Sequence, residues 1–170
     1  MKLLLLVVLS GLAVVQTARA IEIAQAPGRV SVVFVCPEKF TDSTDDAMAS
    51  DASRQLVLDE LKAHFELLAK RYIPAGQRLE LTINDVDLAG SYEPWRGMDF
   101  DHVRIMRDIY PPSINLSFRL LATDGKVLAE GTRQLRDFGY LQIYSMPSSD
   151  PLCYDKGMIS SWMRMEFKRS

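Results

Sequence analysis

The segment DASRQLVLDELKAHFELLAKRY, residues 51–72, decides the fold. Its apolar residues recur at spacings of three and four, which is the pattern of a helix with one apolar stripe. They are Leu58, Leu61, Phe65, Leu68 and Tyr72. Ser50 or Asp51 can cap the first turn, and Pro74 prevents the helix from continuing. The sequence therefore predicts an amphipathic helix over residues 51–72.

Strand-like segments lie on both sides of this helix. Residues 29–35 (RVSVVFV) are almost wholly apolar and β-branched, which predicts a central strand covered on both faces. Residues 78–83 (RLELTI) alternate apolar and polar side chains, as a half-buried strand does, and a change of phase at Asn84-Asp85 predicts a bulge. Because a helix connects the two strands, we expect them to be parallel.

Two further strands and a helix follow towards the C-terminus. Residues 114–121 and 127–136 have strand-like patterns, and Asp124-Gly125 between them predicts a type I′ hairpin turn. Asp150-Pro151 has the residue types that begin a helix. The order β-α-β-β-β-α predicts an α+β two-layer sandwich, in which a four-stranded mixed sheet carries two helices on one face.

The N-terminus has the pattern of a cleavable signal peptide. Lys2 precedes the apolar run 3–15, and Ala18-Arg19-Ala20 is a small-x-small cleavage site. The run is shorter than the roughly 20 residues that a membrane span needs. We therefore expect cleavage after Ala20, which leaves a single domain over residues 21–170 with no membrane span.

The charge balance favours no polyanionic partner. Lys2 and Arg19 leave with the signal, so that 18 basic residues remain against 22 acidic ones, a formal charge of −4. Nucleic acids and anionic membranes are bound through an excess of basic side chains. We therefore expect neither as a partner.

Two cysteines, Cys36 and Cys153, belong to a chain bound for an oxidising compartment. Cysteines there usually pair, and a bond that closes a loop of this length stabilises a fold by about 4–5 kcal/mol in the loop-entropy description. Their spacing is unlike that of a catalytic redox pair. We predict a structural disulfide between them, with two buried free thiols as the alternative.

The residues best suited to chemistry are concentrated in one long connection, NDVDLAGSYEPWRGMDFDHVRIMRDIYPP at residues 84–112. Loops longer than about 12–15 residues usually bind something, cover something or are disordered, and this one is too apolar for disorder. Its candidate surface or ion-pair residues are Asp85, Asp87, Tyr92, Trp95, His102, Arg104, Arg107 and Asp108. A second loop with aromatic residues covers residues 138–149.

The aromatic residues of these two loops favour a binding or accessory protein. They are Tyr92, Trp95, Phe100, Tyr110, Tyr140 and Tyr144. Such side chains are enriched at interfaces, and loops carry function more often than cores do. The structural alternative is that they fold back over the sheet face that the helices leave open. We expect a protein partner, no cofactor and no catalytic residue.

An enzyme is the alternative interpretation. Asp85 and Asp87 would be paired carboxylates, with His102 as the base. Arg104 and Arg107 would stabilise an anion. However, the sequence contains no nucleophile elbow, phosphate-binding loop or catalytic triad order. A metal site is not expected either, since the aspartates lack the spacing of a calcium loop.

The same charged residues have a structural explanation. Arg104 and Arg107 alternate with apolar residues in the second half of the connection. Pairing of these arginines with Asp85, Asp87 or Asp108 would hold the connection against the domain. Ion-pair networks of this kind resemble active sites in composition. We therefore favour ion pairing over catalysis for these residues.

Several segments together resemble a known family. They are FTD at 40–42, PAGQRLELTINDVDLAG at 74–90, RIMRDIYPP at 104–112, RQLRD at 133–137 and DPL at 150–152. Through them the chain resembles the bacterial secreted proteins catalogued as the domain of unknown function 3016, over nearly all of its mature length. The resemblance implies a periplasmic, single-domain protein and carries no assigned activity, substrate or catalytic residue. It does not include the two cysteines.

Overall fold

The fold is described by a computed structural model over residues 28–44, 50–97, 103–143 and 149–168. Its strands are β1 Val30–Phe34, β2 Arg78–Asp87, β3 Ser91–Tyr92, β4 Arg104–Ile105, β5 Ser113–Leu121 and β6 Val127–Arg136. Its helices are α1 Asp51–Tyr72, α2 Tyr140–Ile143 and α3 Cys153–Phe167. Among these residues no helix has the length and apolar character to cross a membrane. The predicted signal peptide, residues 1–20, lies outside the described residues.

The main sheet has four strands in the order β1-β2-β5-β6. β1 is parallel to β2, whereas the β2–β5 and β5–β6 pairs are antiparallel. This confirms the predicted α+β class with a four-stranded mixed sheet. The predicted bulge is also present, because the register between β2 and β5 shifts between Ile83 and Asp85.

β1 lies at the edge of the sheet, so the prediction of a central strand is wrong. Its partner is β2, and Val33 and Val35 are both exposed. β-Branched residues favour an extended backbone at an edge as well as at a centre. The composition of residues 29–35 therefore indicates a strand without indicating how many neighbours the strand has.

The turn between β5 and β6 is a three-residue loop, not the predicted type I′ turn. Ala122 N donates to Lys126 O (2.8 Å) and closes the loop, while Gly125 N donates to Ala122 O (2.9 Å). Gly125 has a φ of +83°, whereas Asp124 lies outside the left-handed region. The Asp124 carboxylate instead accepts from Lys126 N (3.0 Å). This is a type I turn followed by a left-handed glycine, a common form of three-residue hairpin.

α1 begins and ends at the residues that its sequence pattern predicts. Ser50 Oγ accepts a hydrogen bond from Ser53 N (3.0 Å), and the backbone becomes extended at Ile73, before Pro74. Leu61, Phe65 and Leu68 of the apolar stripe are buried in one core with α3 and with one face of β2 and β5, and Tyr72 packs against this core. This core includes Leu61, Phe65, Leu81, Ile83, Leu116, Phe118, Ile159, Trp162 and Met163.

α3 begins at Cys153, slightly later than Asp150-Pro151 predicts. Asp150 Oδ1 accepts from Leu152 N (2.9 Å), and Asp150 O accepts from Cys153 N (3.2 Å). Asp150 therefore organises a turn that leads into the helix. The difference is small because the residue types of a helix start also suit such a turn.

α1 and α3 run in the same direction. Lys156 Nζ donates to Glu60 (3.0 Å), and further along both helices the rings of Phe65 and Trp162 meet edge to face at 6.4 Å. The last turns of both helices consequently lie at the end of the sheet where β1 and β2 begin, which we call the helix-terminal end. The opposite end, where β2 ends and β5 begins, is called the loop end.

The predicted disulfide is absent, since the structure has Cys36 and Cys153 as free thiols. Cys36 is exposed in the turn that follows the edge strand β1, where its backbone has a φ of +52°. Cys153 is half-buried in the first turn of α3. The two thiols thus lie in different surroundings, one open to solvent and one partly covered by the domain.

The core predicts a clear difference between two leucines of α1. Leu61 is fully buried in the core, whereas Leu67 is exposed on the same helix. We expect Leu61→Ala to lower the free energy of unfolding by about 2–5 kcal/mol, because it removes buried methyl groups and leaves a cavity. Leu67→Ala should change it by less than about 0.5 kcal/mol. Urea unfolding followed by circular dichroism measures both, and equal losses would contradict the assigned core.

Candidate functional site

The connection at residues 84–112 is partly a second, small sheet. β2 continues to Asp87, and β3 and β4 pair antiparallel through Ser91 with Ile105 and Tyr92 with Arg104. Gly90, just before β3, has a φ of +78°, and a Cβ there would lie 2.9 Å from Ile105 O. Glycine is therefore required where this ribbon turns back on β2.

Arg104 fixes the ribbon to the loop end of the domain. Its side chain is only 8% exposed, and Nη1 lies 2.9 Å from Asp42 Oδ2. Nη1 also donates to Gly90 O (3.1 Å), and Nη2 donates to Thr44 O (2.6 Å). The guanidinium stacks over the Tyr92 ring at 4.8 Å. One buried cation thus holds together the segment after β1, the end of β2 and the ribbon.

The charge on Arg104 is secured by its surroundings. Burial acts to lower the pKa of Arg104, but the hydrogen bond and the negative charge of Asp42 outweigh it, so that the pKa is raised. Asp42 itself is held beside β2, since Asp42 N donates to Val86 O (2.9 Å) and Leu88 N donates to Asp42 O (3.2 Å). The Arg104–Asp42 ion pair is therefore connected to the backbone hydrogen bonds between Asp42 and the end of β2.

Arg107 belongs to a second buried network, centred on Glu93. The Glu93 side chain is fully buried, with Arg96 Nε at 2.6 Å and Arg107 Nη1 at 3.2 Å from its carboxylate oxygens. Tyr110 Oη donates to Glu93 Oε1 (3.1 Å). Two arginines and a phenol thus compensate one buried carboxylate, as a buried charge requires.

The predicted partners of the two arginines are wrong, although both do form ion pairs. Arg104 pairs with Asp42 and Arg107 pairs with Glu93, rather than with Asp85, Asp87 or Asp108. Asp108 is exposed. Asp42 precedes Arg104 by 62 positions, and the periodicity of neither segment indicates that the two residues meet. The FTD segment that contains Asp42 was the available signal.

Asp85 and Asp87 do not act as a matched pair of carboxylates. Asp85 accepts from Thr41 N (2.8 Å) and from Thr41 Oγ1 (2.9 Å), so it is occupied in holding the segment after β1. Asp87 lines a cleft of about 260 Å³ together with Tyr110 and Arg136. Burial and the negative charges of Asp42 and Asp85 raise the pKa of Asp87.

A buried carboxylate that sequence reasoning missed lies beneath this region. Asp155, on α3, is buried, and its Oδ1 accepts from Ala89 N (3.2 Å). Burial raises the pKa of Asp155 to about 7. Asp155 therefore ties α3 to the end of β2, and the folded protein holds its proton to a higher pH than an ordinary aspartate does.

The second loop is locked onto the first by Tyr140. The Tyr140 side chain is fully buried, its hydroxyl donates to Arg107 O (2.9 Å), and its ring meets the Tyr154 ring edge to face at 4.9 Å. Tyr92 and Tyr110 are likewise used inside the domain, under Arg104 and beside Glu93. Three of the candidate interface aromatics thus have contacts inside the domain, with the loops and α3 and not with the open sheet face that the alternative interpretation named.

Other large apolar side chains of the two loops face solvent. Trp95 is 73% exposed, Ile109 is 68% exposed and Phe138 is 69% exposed. Arg136 lines the same cleft as Ile109 and stacks over the Phe138 ring at 5.0 Å. We call Trp95, Ile109, Phe138 and Arg136 the apolar loop surface. It spans both loops that the sequence singled out.

Most of the candidate catalytic side chains that the structure describes are held by other residues of the domain. Asp85, Arg104 and Arg107 each have internal partners. No group of three or more His, Cys, Asp or Glu side chains among the described residues could hold a metal ion. Three predicted site or interface residues, His102, Phe100 and Tyr144, lie outside the described residues.

Comparison with known proteins identifies a family for the chain. A family model described as "Protein of unknown function (DUF3016)" matches residues 28–165. No curated protein and no solved structure matches the chain. The match agrees with the resemblance noted from the sequence segments, and it covers the site described above.

Because the Arg104 guanidinium is buried among several acceptors, we predict that lysine at this position cannot maintain the stability of the domain. Lys keeps the charge but lacks the planar fork that reaches Asp42, Thr44 O and Gly90 O together. We expect Arg104→Lys to lower the free energy of unfolding by roughly 2–4 kcal/mol, because buried acceptors lose their donor. The matched control is Arg119→Lys, at an exposed ion pair. It should change the free energy of unfolding by less than about 0.5 kcal/mol. Equal losses in urea unfolding would show that Arg104 is not the anchor.

The buried carboxylate predicts a specific pH dependence of stability. The folded chain holds the Asp155 proton up to about pH 7, whereas an ordinary Asp loses it near pH 3.8. The contribution of Asp155 to the free energy of unfolding is therefore greatest below pH 3.8 and falls as the pH rises to about 7. The total fall is up to about 4 kcal/mol.

The test is Asp155→Asn, which mimics the protonated form and keeps the acceptor for Ala89 N. Its free energy of unfolding should rise relative to that of the unchanged protein as the pH goes from 4 to 8. Asp59→Asn, at an exposed position of α1, is the control and should follow the unchanged protein. A constant difference between Asp155→Asn and the unchanged protein would contradict the assignment.

Proposed function

The chain belongs to the DUF3016 family, and on that premise we propose that it is a non-enzymatic binding or accessory module that engages a protein partner. The apolar loop surface is the proposed contact. The observation that carries the proposal is the exposure of Trp95, Ile109 and Phe138 on loops that are anchored by buried ion pairs.

The anchoring of the loops favours binding in energetic terms. Association costs free energy when a partner must order mobile side chains and loops. Here the Glu93 network and the Arg104 contacts fix the backbone on both sides of Trp95 before any partner arrives. Because less free energy is lost in ordering such a preorganised surface, a larger share of the contact free energy contributes to the binding affinity.

The composition of the surface supports a protein as the partner. Trp and Arg are enriched among the residues that dominate protein interfaces. Arg136 covers one side of Phe138, and Arg96 follows Trp95 and remains partly exposed. An apolar centre with a polar, partly charged rim is the usual anatomy of such interfaces.

The enzyme alternative, built on Asp85, Asp87, His102, Arg104 and Arg107, receives less support. Asp85, Arg104 and Arg107 have partners within the domain. Of the two aspartates in this set, Asp87 lines a cleft. A half-buried carboxylate beside Arg136 is a polar contact point. The cleft is also lined by Asp42, Thr41 and Tyr110, whose side chains are held by Arg104, Asp85 and Glu93 respectively.

The proposed compartment is the periplasm. Its support is the signal-peptide pattern of residues 1–20, with Ala18-Arg19-Ala20 as the cleavage site, and the bacterial family that the sequence segments resemble. The partner is accordingly proposed to be a periplasmic or envelope protein. The mature chain purified from cells is expected to begin at Ile21.

In-cell photo-crosslinking tests the proposal. A photoreactive residue replaces Trp95, which is exposed, and not Tyr92, which is stacked under Arg104. We expect one discrete adduct with another protein, which mass spectrometry identifies. The matched control is the same probe at Met165, which is 74% exposed on α3 outside the loops and should give no such adduct.

The competing outcomes are distinct. Phe138→Ala should reduce the yield of the Trp95 adduct while it leaves stability within about 0.5 kcal/mol, since Phe138 is exposed. Crosslinks confined to the chain itself would mean that Trp95 is a structural cover. An equal pattern of adducts from Met165 would mean that the contact is nonspecific. Either result overturns the proposal.

A further inference from the structure

The helix-terminal end of the domain carries a cleft lined by positive charge. Its volume is about 660 Å³, and it lies between the last turns of α1 and α3. Five cationic side chains line it: Arg29, Lys70, Arg71, Arg164 and Lys168. Tyr72 and Phe167 provide apolar walls. Over the described residues, the lining includes no carboxylate.

The parallel course of the two helices brings these charges together. Lys70 and Arg71 end α1, and Arg164 and Lys168 stand at the end of α3. A cation near the C-terminus of one helix is favoured by that helix dipole. The dipole explains each pair separately, but it does not explain a shared cleft in which both pairs converge with Arg29.

The carbonyls at the end of α1 already have a donor. Arg29 Nη1 donates to Lys70 O (2.8 Å) and lies 3.4 Å from Ile73 O. The other four cations are exposed, and none of them forms an ion pair with a carboxylate in the described part of the chain. Like charges that converge without a counter-charge repel one another, and a bound anion relieves that repulsion.

We propose that this cleft binds a multiply charged phosphate-bearing group. Arginine forks and lysine ammonium groups are the side chains that proteins use for phosphate. The volume lies within the range of about 300–1,000 Å³ that is usual for small-ligand sites. Tyr72 and Phe167 can contact an apolar portion attached to the phosphate. The site lies at the opposite end from the apolar loop surface and does not depend on the proposed function.

The local charge at the helix-terminal end differs from the formal charge of the whole chain. The formal charge of −4 after signal removal argues against anionic partners, but it is a sum over the whole chain. The structure instead concentrates cations at one end, where a local field attracts anions whatever the net charge. The ligand can reach the cleft as a soluble phosphate compound or as a phospholipid headgroup.

Isothermal titration calorimetry with inorganic pyrophosphate is the direct test, on the protein as cells produce it. We expect measurable binding to the unchanged protein. In the double variant Arg164→Gln with Lys168→Gln, the binding affinity should fall by about tenfold for each cation removed. Both side chains are exposed, and Arg29 is left unchanged because it contacts the end of α1. The matched control is Lys39→Gln with Lys62→Gln, which removes the same charge at exposed positions outside the cleft.

Vesicles distinguish the two sources of phosphate. Flotation with cardiolipin vesicles, whose headgroup carries two phosphates, against phosphatidylcholine vesicles as the zwitterionic, net-neutral control, reports headgroup binding. Cleft-dependent flotation without pyrophosphate binding assigns the site to a phospholipid, and pyrophosphate binding alone assigns it to a soluble ligand. Absence of both overturns the proposal. Equal weakening by the control pair also overturns it, since the attraction would then be general and not due to the cleft.

Discussion

The buried guanidinium of Arg104 is the constraint on which the loop end of this protein depends. A cation removed from water must find compensating charge and acceptors, and leaving it unpaired costs several kcal/mol. Asp42 and the Thr44 and Gly90 carbonyls provide that compensation, while the Tyr92 ring covers one face. These partners belong to two segments, residues 42–44 and 90–92, and Arg104 belongs to a third, so satisfying one side chain fixes the path of all three.

The remaining polar contacts extend this arrangement across both loops. Glu93 gathers Arg96, Arg107 and Tyr110, and the backbone carbonyl of Arg107 accepts the Tyr140 hydroxyl. The loops are thereby anchored from inside, and their large apolar side chains are left outside. A surface of this kind is suited to recognition, since the groups that resemble an active site in composition are occupied in holding the backbone.

The two ends of the domain have different physical characters. The loop end combines buried, compensated charges with exposed apolar groups, whereas the helix-terminal end exposes uncompensated cations above the last turns of two parallel helices. The parallel course of α1 and α3 produces this difference, because it collects both helix C-termini at one end. An antiparallel pair would have divided the cations between the two ends.

The sequence by itself determined the elements whose causes are local. The spacing of apolar residues located α1, alternation located β2 and its bulge, and the helical connection required β1 and β2 to be parallel. Only the tertiary structure decided the edge position of β1, the partners of Arg104 and Arg107, and the free state of both cysteines. It also decided the hairpin form, where Thr123 Oγ1 donates to Gly76 O (2.8 Å) in the α1–β2 turn. The physical reason is sequence distance: periodicity reports which face of an element is buried, whereas pairing across tens of residues depends on which elements the completed core brings together.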